Sequence, residues 1–338
     1  MQYTTLGRTQ LRVSRTAFGA LPIQRVSFDE AKLLLRKAYD HGVNFFDTAR
    51  AYTDSEEKIG YALADVREKI IIATKTSAST ADDLFKHLET SLRNLRTDHV
   101  DILQLHNPPT LAGPEHGDLY SAMLKAREKG MVRFIGITNH RLDIARQAAA
   151  SGWYDTVQFP LSAISSDDDL VLIDDCRKHN IGLIAMKGLC GGLLTNAAQA
   201  FAFLRQYENV VPIWGVQREY ELDEFLTLED NPPVLDDAMW QAIQRDREEL
   251  AGDFCRACGY CLPCPANIPI PTAARMTLMM RRAPYQQFLS PEWQEQMALI
   301  EKCKHCGNCA KRCPYGLDTP RLLQDMLKGY REMVQNLV

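Results

Sequence analysis

Ten cysteines occur in the 338-residue chain, and eight of them form two tight runs near the C-terminus. Cys255, Cys258, Cys261 and Cys264 follow one another with two residues in each gap and are closed by Pro265. Cys303, Cys306 and Cys309 repeat that gap, and Cys313 follows after three residues, closed by Pro314. Thiolates at this spacing suit a [4Fe–4S] cubane, whose corners a short stretch of backbone can reach one after another. Structural zinc uses separated C-x2-C pairs to build one tetrahedron, which leaves no use for a third cysteine two residues on. Disulfides need an oxidising compartment, and Met1–Gln10 carries no basic-then-apolar leader. The spacing therefore predicts iron and sulfide ahead of zinc, and zinc ahead of disulfides.

A second constellation lies in the first third of the chain. DTARAY, ATK and LQLH each close an apolar run, and they carry Asp47 and Tyr52, Lys75, and His106. A phenol, with an ordinary pKa of about 10, is a weak acid at neutral pH. An ammonium beside it lowers that pKa, and a carboxylate holds the ammonium in place. A histidine at the same spot orients and polarises a carbonyl. Together the four would protonate a carbonyl oxygen while hydride arrives at carbon. Singly, Asp47 and Lys75 read as a structural ion pair and His106 as a loop cap; the four in register carry the chemical reading.

These side chains need elements to hold them. From Thr16 to Val216, short apolar runs alternate with helical segments. The runs are 16–21, 44–49, 70–75, 100–106, 133–140, 156–162, 182–188 and 210–216, and most are near-continuous hydrophobics, as in parallel strands buried on both faces. Between them, Ser27 and Glu30 form a capping box before Ala31, Leu34, Leu35 and Ala38, with Gly42 as a stop. Leu84, Leu88, Leu92 and Leu95 recur at helical spacing after Thr80. Eight strand–helix units in about 200 residues predict a closed (β/α)8 TIM barrel, with chemistry at the C-terminal ends of its strands. An open dinucleotide-binding sheet would carry Gly-x-Gly-x-x-Gly after its first strand, and that fingerprint is absent. Residues 1–15, turning at Gly7-Arg8-Thr9, predict a hairpin that plugs the N-terminal mouth.

The remainder is a mostly helical iron–sulfur domain. Asp230-Asn231-Pro232-Pro233 breaks the helical pattern, which sets the barrel at 1–229, a linker and surface helix at 230–252, and the cluster domain at 253–338. The helix expected over 235–250 is placed on the barrel surface. Ala274, Leu278, Arg281 and Arg282 predict one helix of the tail, and Trp293, Met297 and Ile300 another. Met276, Met279 and Met280 are expected to pack in a core, as is Cys176, whereas Cys190 falls in a glycine-rich loop. Net charge is −4, which gives no electrostatic case for nucleic acid or an anionic membrane. No apolar run nears the roughly 18 residues a spanning helix needs. A cytoplasmic protein in a reducing, oxygen-poor cell is expected.

Two resemblances follow from these motifs. Residues 1 to about 229 resemble the aldo-keto reductase superfamily: YTTLGRTQLRVSRTAFGA is similar to its N-terminal hairpin and first strand, and DTARAY, ATK and LQLH match its catalytic motifs in order. The resemblance implies Tyr52 as general acid, Lys75 and Asp47 as its tuning pair, and His106 as the residue that positions the carbonyl. GITNH and VQF imply that Thr138, Asn139 and Gln158 contact a nicotinamide carboxamide. IAMKGLCGG implies a pyrophosphate loop of Gly188, Leu189, Gly191 and Gly192, with Met186 where many members stack an aromatic. After the eighth strand, many members bind an adenosine 2′-phosphate through a basic residue and a serine, or Pro-Gly. Here stand Gly215, Gln217 and Arg218, with Trp214 either facing a ring or packing. NADP(H) is the implied nucleotide, with NAD(H) or a flavin as alternatives. The cysteine runs resemble α-helical ferredoxin domains, in which the fourth cysteine crosses to the other cluster. That implies Cys255, Cys258, Cys261 and Cys313 on one [4Fe–4S] cluster, and Cys303, Cys306, Cys309 and Cys264 on a second. A barrel with such a tail resembles a branch of oxidoreductases.

Three functions are compatible with this pairing. The first is an oxidoreductase acting on a carbonyl, alcohol or related small molecule with a nicotinamide cofactor, coupled through two clusters to a ferredoxin or other electron-transfer partner. The second is an NAD(P)H-dependent carbonyl reductase whose clusters are structural or oxygen-sensing. The third is a non-catalytic redox sensor or electron-transfer subunit.

Overall fold

The computed structural model of the chain describes residues 1–115, 117–282 and 284–337. It divides into two compact units, Met1–Gly188 with Ala197–Asp236, and Leu189–Asn196 with Asp237–Val338.

The first unit opens with an antiparallel hairpin, β1 (Tyr3–Thr5) and β2 (Arg12–Ser14), in which Tyr3 faces Ser14. Eight parallel strands then close a barrel among the described residues: β3 (Ala17–Gly19), β4 (Phe45–Asp47), β5 (Ile71–Thr76), β6 (Val100–His106), β7 (Val132–Thr138), β8 (Thr156–Pro160), β9 (Gly182–Met186) and β10 (Val210–Gly215). Each of the eight apolar runs overlaps one of these strands. The ring runs from β3 in chain order to β10, which pairs back onto β3 through Trp214 and Phe18.

Helices cross over between the strands: α1 (Phe28–Asp40), α2 (Ser55–Leu63), α3 (Ala81–Leu95), α4 (Leu119–Glu128), α5 (Leu142–Ser151), α6 (Asp167–Lys178) and α7 (Ala197–Arg205), with α8 (Glu219–Asp230) after the last strand. Their starts follow the side chains. The Ser27 hydroxyl accepts the Glu30 amide at 3.2 Å while the Glu30 carboxylate accepts the Ser27 amide at 2.8 Å. The Thr80 hydroxyl accepts the Asp83 amide, and α3 then buries Leu84, Leu88, Leu92 and Leu95.

The hairpin closes the N-terminal mouth. Leu6, Leu11 and Val13 pack with Ala17, Phe45, Ile102 and Val211 in one interior cluster. The Arg8 amide donates to the Asn180 carbonyl at 2.7 Å, two residues before β9 begins. Gly7 has φ +50°, and a Cβ there would lie 2.3 Å from the Gly182 nitrogen. Only glycine fits both the backbone angle and the gap.

The second unit packs α9 (Asp237–Glu249), α10 (Ile270–Ala273), α11 (Met276–Arg282), α12 (Pro291–Ala298), α13 (Asn308–Lys311) and α14 (Thr319–Leu337). Its core holds Met276 and Met280 with Phe288, Met297, Leu323 and Tyr330, and Met279 lies against it. Helix α9, expected on the barrel surface, groups instead with this unit, where Arg282 of α11 pairs with Asp246 at 2.7 Å and with Glu249. Cys176 is fully buried on α6. No described helix is long and apolar enough to cross a membrane.

A Gly7→Ala variant should lose about 1–3 kcal/mol of stability, the usual cost of holding a side chain in a strained backbone site. The midpoint of urea unfolding checks this; an unchanged midpoint would show that the hairpin's approach to β9 is not tight.

Candidate functional site

Strand residues alternate across the barrel wall, so Ile102, Gln104 and His106 of β6 share one face. Ile102 belongs to the interior cluster, which puts Gln104 and His106 on the inner face as well. The register then stacks polar rows above an apolar floor. Ala73, Ile102 and Phe134 lie side by side at the floor. One row up, Lys75 neighbours Gln104, which neighbours Gly136, which neighbours Thr156. A Cβ on Gly136 would sit 2.1 Å from the Thr156 hydroxyl, so glycine makes room for the polar row. At the rim, His106, Thr138 and Gln158 stand in line across β6, β7 and β8.

Asp47 ends β4 and is 2% exposed; Lys75 is 1% exposed. The Lys75 ammonium donates to Asp47 Oδ1 at 2.5 Å and to the Thr48 carbonyl at 2.6 Å. Asp47 also accepts from the side-chain amides of Gln104 at 3.3 Å and Gln158 at 3.4 Å. Lys75 Nζ lies 5.0 Å from the centre of the Tyr52 ring, and that ring meets His106 edge-on at 5.9 Å. The loop that carries Tyr52 is pinned on both sides. The Arg50 amide donates to the Lys75 carbonyl, and the Thr48 and Ser55 hydroxyls bond to each other at 2.9 Å. The structure thus brings Asp47, Tyr52, Lys75 and His106 together.

Burial dominates their protonation. It pushes Asp47 up and Lys75 down, and their mutual attraction opposes both shifts. Tyr52 is pushed up, first by burial and then by the charge on Asp47. The expected lowering of Tyr52 by the ammonium is not what the geometry gives, because burial and the Asp47 charge both push it up. His106 is lowered to about 3 by burial and by Lys75, so its ring is neutral at pH 7.

Three polar residues of this site went unread in the sequence. Gln104 lies two positions before His106, and the two-residue period alone marks it as inward. Thr156 opens β8 on the same row. Glu56, 1% exposed, sits behind the pair, holding Arg50 and accepting the Thr74 hydroxyl at 2.7 Å, and it also favours the charged form of Lys75. Its place one residue into α2 resembles any exposed first-turn acid, so no sequence signal distinguished it.

The expected nucleotide contacts divide. Thr138 bonds weakly to the Met186 sulfur at 3.9 Å. Asn139 has its side chain committed to loop backbone, donating to Pro108 and accepting the Arg141 amide, each at 2.9 Å. Gln158 leaves its side-chain oxygen buried with no hydrogen-bond partner among the described residues, and the Gln104 oxygen is in the same position. A carboxamide, which brings two donors, fits such orphaned acceptors. Gly188 has no room for a side chain, since a Cβ would meet Trp214 at 2.6 Å. Trp214 itself packs: Val211 and Ile213 face inward, so Trp214 faces out, stacked on Phe225 at 4.4 Å and Phe201 at 6.3 Å. Gly215 lies against Pro22, Gln217 accepts from Arg25 at 3.3 Å, and Arg218 bonds the Tyr220 hydroxyl at 2.9 Å.

Leu189, Gly191 and Gly192 fall in the second unit. Their loop turns back on itself, with the Gly192 and Leu194 amides both donating to the Leu189 carbonyl. Two arginines hold it, the buried Arg275 donating to the Gly191 carbonyl at 2.7 Å and the half-buried Arg282 to the Leu193 carbonyl at 3.0 Å.

The cysteines of that unit sort into two small cavities. Cys255, Cys258, Cys261 and Cys313 line the first. Cys264, Cys303, Cys306 and Cys309 line the second, which Cys261 also borders. Burial pushes the Cys261 thiol up to about 12 and Cys309 in the same direction. Among the described residues no three Cys, His, Asp or Glu side chains close on a single metal ion. Four thiols around an open space are a donor set that fits an iron–sulfur cluster.

The His106 shift has a testable sign. Its folded pKa lies below its unfolded one, so between about pH 6.5 and 3 the unfolded state binds the extra proton. That contribution to stability is fully present above pH 6.5 and is lost as pH falls toward 3. A His106→Gln variant should therefore show a shallower fall in urea midpoint from pH 7 to pH 4 than the parent chain; equal slopes would contradict a buried neutral ring.

Comparison with known proteins follows the two-unit division. Residues 15–201 match the model of the aldo/keto reductase family, and residues 254–318 match a 4Fe-4S dicluster domain. Curated relatives include the aldo-keto reductase YhdN of Bacillus subtilis, 29% identical over 214 residues, and L-galactose dehydrogenase of Arabidopsis thaliana, 32% identical over 221 residues. A probable voltage-gated potassium channel subunit beta of Arabidopsis thaliana is 35% identical over 224 residues. Each alignment covers 58% of this chain and 64%, 67% and 66% of those relatives respectively, so the chain spans about two thirds of their length. Among solved structures, a thermostable aldo-keto reductase in complex with the inhibitor epalrestat is 26% identical with a TM-score of 0.63, covering 73% of this chain and all of that one. An aldo-keto reductase from Klebsiella pneumoniae in complex with NADPH shares the fold at 21% identity and a TM-score of 0.63, covering 72% of this chain and 95% of that one. The chain belongs to the aldo/keto reductase family, and a 4Fe-4S dicluster domain follows the barrel in its sequence.

Proposed function

We propose that the protein is an oxidoreductase that acts on a small carbonyl, its alcohol or a related compound with NADP(H), and that the two electrons of the hydride would pass to or from two [4Fe–4S] clusters one at a time, with its proton released or taken up. The observation that carries the reading is the buried Asp47–Lys75 pair set beside Tyr52 and His106. When bound, a nicotinamide supplies or accepts hydride and each cluster a single electron. The chain's own residues do the rest. Tyr52 keeps its phenolic proton across the neutral range and donates it to the carbonyl oxygen. His106, being neutral, offers a ring N–H that orients the same oxygen. Lys75 offsets the negative charge left on the phenol, and Asp47 fixes where that positive charge sits. Gln158, with Thr138, would hold the carboxamide, Asn139 being committed to the loop beside them, and Arg218 would serve the 2′-phosphate. The thiolates of Cys255, Cys258, Cys261 and Cys313 hold one cluster, and those of Cys264, Cys303, Cys306 and Cys309 the other.

A second reading has its own support. Cys255, Cys261, Cys264, Cys303 and Cys309 all pack against the core of the small unit. Clusters there would staple a domain of limited core, leaving the barrel to work as an NADPH-dependent reductase alone.

Tyr52→Phe should lower turnover of carbonyl substrates by about 10²–10⁴-fold, the usual worth of a positioned acid, while nucleotide binding persists. Unimpaired turnover would overturn the site assignment. Anaerobically purified protein should carry about eight irons per chain. Replacing both Cys303 and Cys306 by serine separates the two readings: lost turnover over an intact barrel supports coupling, and full turnover supports clusters that only staple.

A further inference from the structure

The second cysteine cavity opens toward solvent with a particular charge around it. Cys306 is the one cysteine classed as exposed among the described residues, and it lines that cavity with Lys304 and Asn308. Lys302, Lys304, Lys311 and Arg312 are all exposed and lie within eleven residues of one another. No carboxylate stands within ion-pair distance of these four among the described residues. The single acid in the stretch, Glu301, is turned to Arg331 at 2.8 Å. Leu262, 42% exposed, adds an apolar contact point, and Arg312 donates to its carbonyl at 3.3 Å. This is an unneutralised basic rim in a chain whose net charge is −4.

We infer that this rim is the docking surface for an acidic one-electron carrier protein. The inference rests on the cluster-linked reading above and names the surface and the partner's charge. A solvated face that served solubility alone would mix its signs, as the helices of the barrel unit do with Arg36–Asp65 and Arg146–Asp175. Here four exposed like charges share one short stretch of chain with Cys306, the most exposed of the eight cysteines, and Lys304 among them lines its cavity, a repulsion that an anionic partner relieves. Electron-transfer encounters are small, under about 1,200 Å² of total buried surface, and depend on electrostatic steering more than on packed area. A basic ring with one exposed leucine suits that kind of contact. Cys264, Cys303, Cys306 and Cys309 would hold a cluster there, which when bound would take one electron from the carrier's redox centre with no bond made or broken. The reverse direction uses the same contact.

The test measures binding, separately from turnover. The probe is a purified flavodoxin of strongly negative net charge, titrated against the cluster-loaded full chain by calorimetry at several salt concentrations. Affinity should fall steeply with salt, because exposed charges are screened over about 10 Å at 0.1 M. Lys304→Glu with Lys311→Glu should weaken binding roughly tenfold or more at low salt. Lys302→Glu with Lys311→Glu, which leaves the cavity lining alone, should weaken it too, with iron content unchanged. Lys86→Glu with Lys125→Glu in the barrel unit matches the change in net charge and should have little effect. Equal weakening by the barrel variant, no weakening by either rim variant, or equally tight binding of a short duplex DNA would each overturn the docking site. Reduction of the same samples by dithionite distinguishes the failures. Clusters that accept electrons from dithionite in a chain that ignores the carrier defeat the docking site alone, whereas clusters that no donor reduces defeat the cluster-linked reading.

Discussion

Asp47 and Lys75 form an ion pair with almost no access to water, and the rest of the barrel's chemistry is arranged around it. Removing one partner of such a pair leaves an uncompensated buried charge at a cost of about 3–5 kcal/mol, whereas an exposed pair contributes at most about 1 kcal/mol. The fold must therefore hold the pair together, and it does so from several strands. Asp47 comes from the end of β4, Lys75 from β5, and the amides of Gln104 on β6 and Gln158 on β8 take the remaining carboxylate lone pairs. Glu56 and Arg50 lie behind as a second layer. Burial, with the charge of Asp47 beside Tyr52 and of Lys75 beside His106, then sets their protonation. One is held protonated and the other neutral, the states that the proposed carbonyl chemistry requires.

The small unit obeys a different constraint. Its helices are short and its core is built from a few apolar side chains with five cysteines against it. Two cavities ringed by thiols interrupt that core. Iron–sulfur clusters in those spaces would add to the packing, so a structural and an electron-carrying role for iron are not exclusive. The loop Leu189–Asn196 belongs to the same unit through Arg275 and Arg282. A segment that follows a barrel strand directly in the chain is thus fastened to the cluster-bearing half.

Much of this was legible in the sequence for identifiable reasons. Parallel strands buried on both faces leave near-continuous apolar runs, so all eight windows overlap the strands that formed. Ser27 and Glu30 announced a capping box because two side chains satisfy two backbone amides at fixed spacing. What escaped depends on parity, burial and long-range pairing. Whether Trp214 met a ligand or the helices turned on which face of β10 it takes, and its inward neighbours Val211 and Ile213 decide that. The direction of the Tyr52 shift turned on burial outweighing a nearby ammonium, which spacing cannot reveal. Helix α9 was readable as a helix, but its partner, Arg282, lies 33 or more residues downstream of the acids it binds.

The proposed function requires electrons to pass between the nicotinamide chemistry of the barrel and the iron of the tail. Electron paramagnetic resonance of the anaerobic, cluster-loaded full chain tests it most directly, recorded before and after a stoichiometric pulse of NADPH. The signal of reduced [4Fe–4S] clusters should appear after the pulse. A spectrum that stays silent, in protein whose clusters dithionite does reduce, would contradict it.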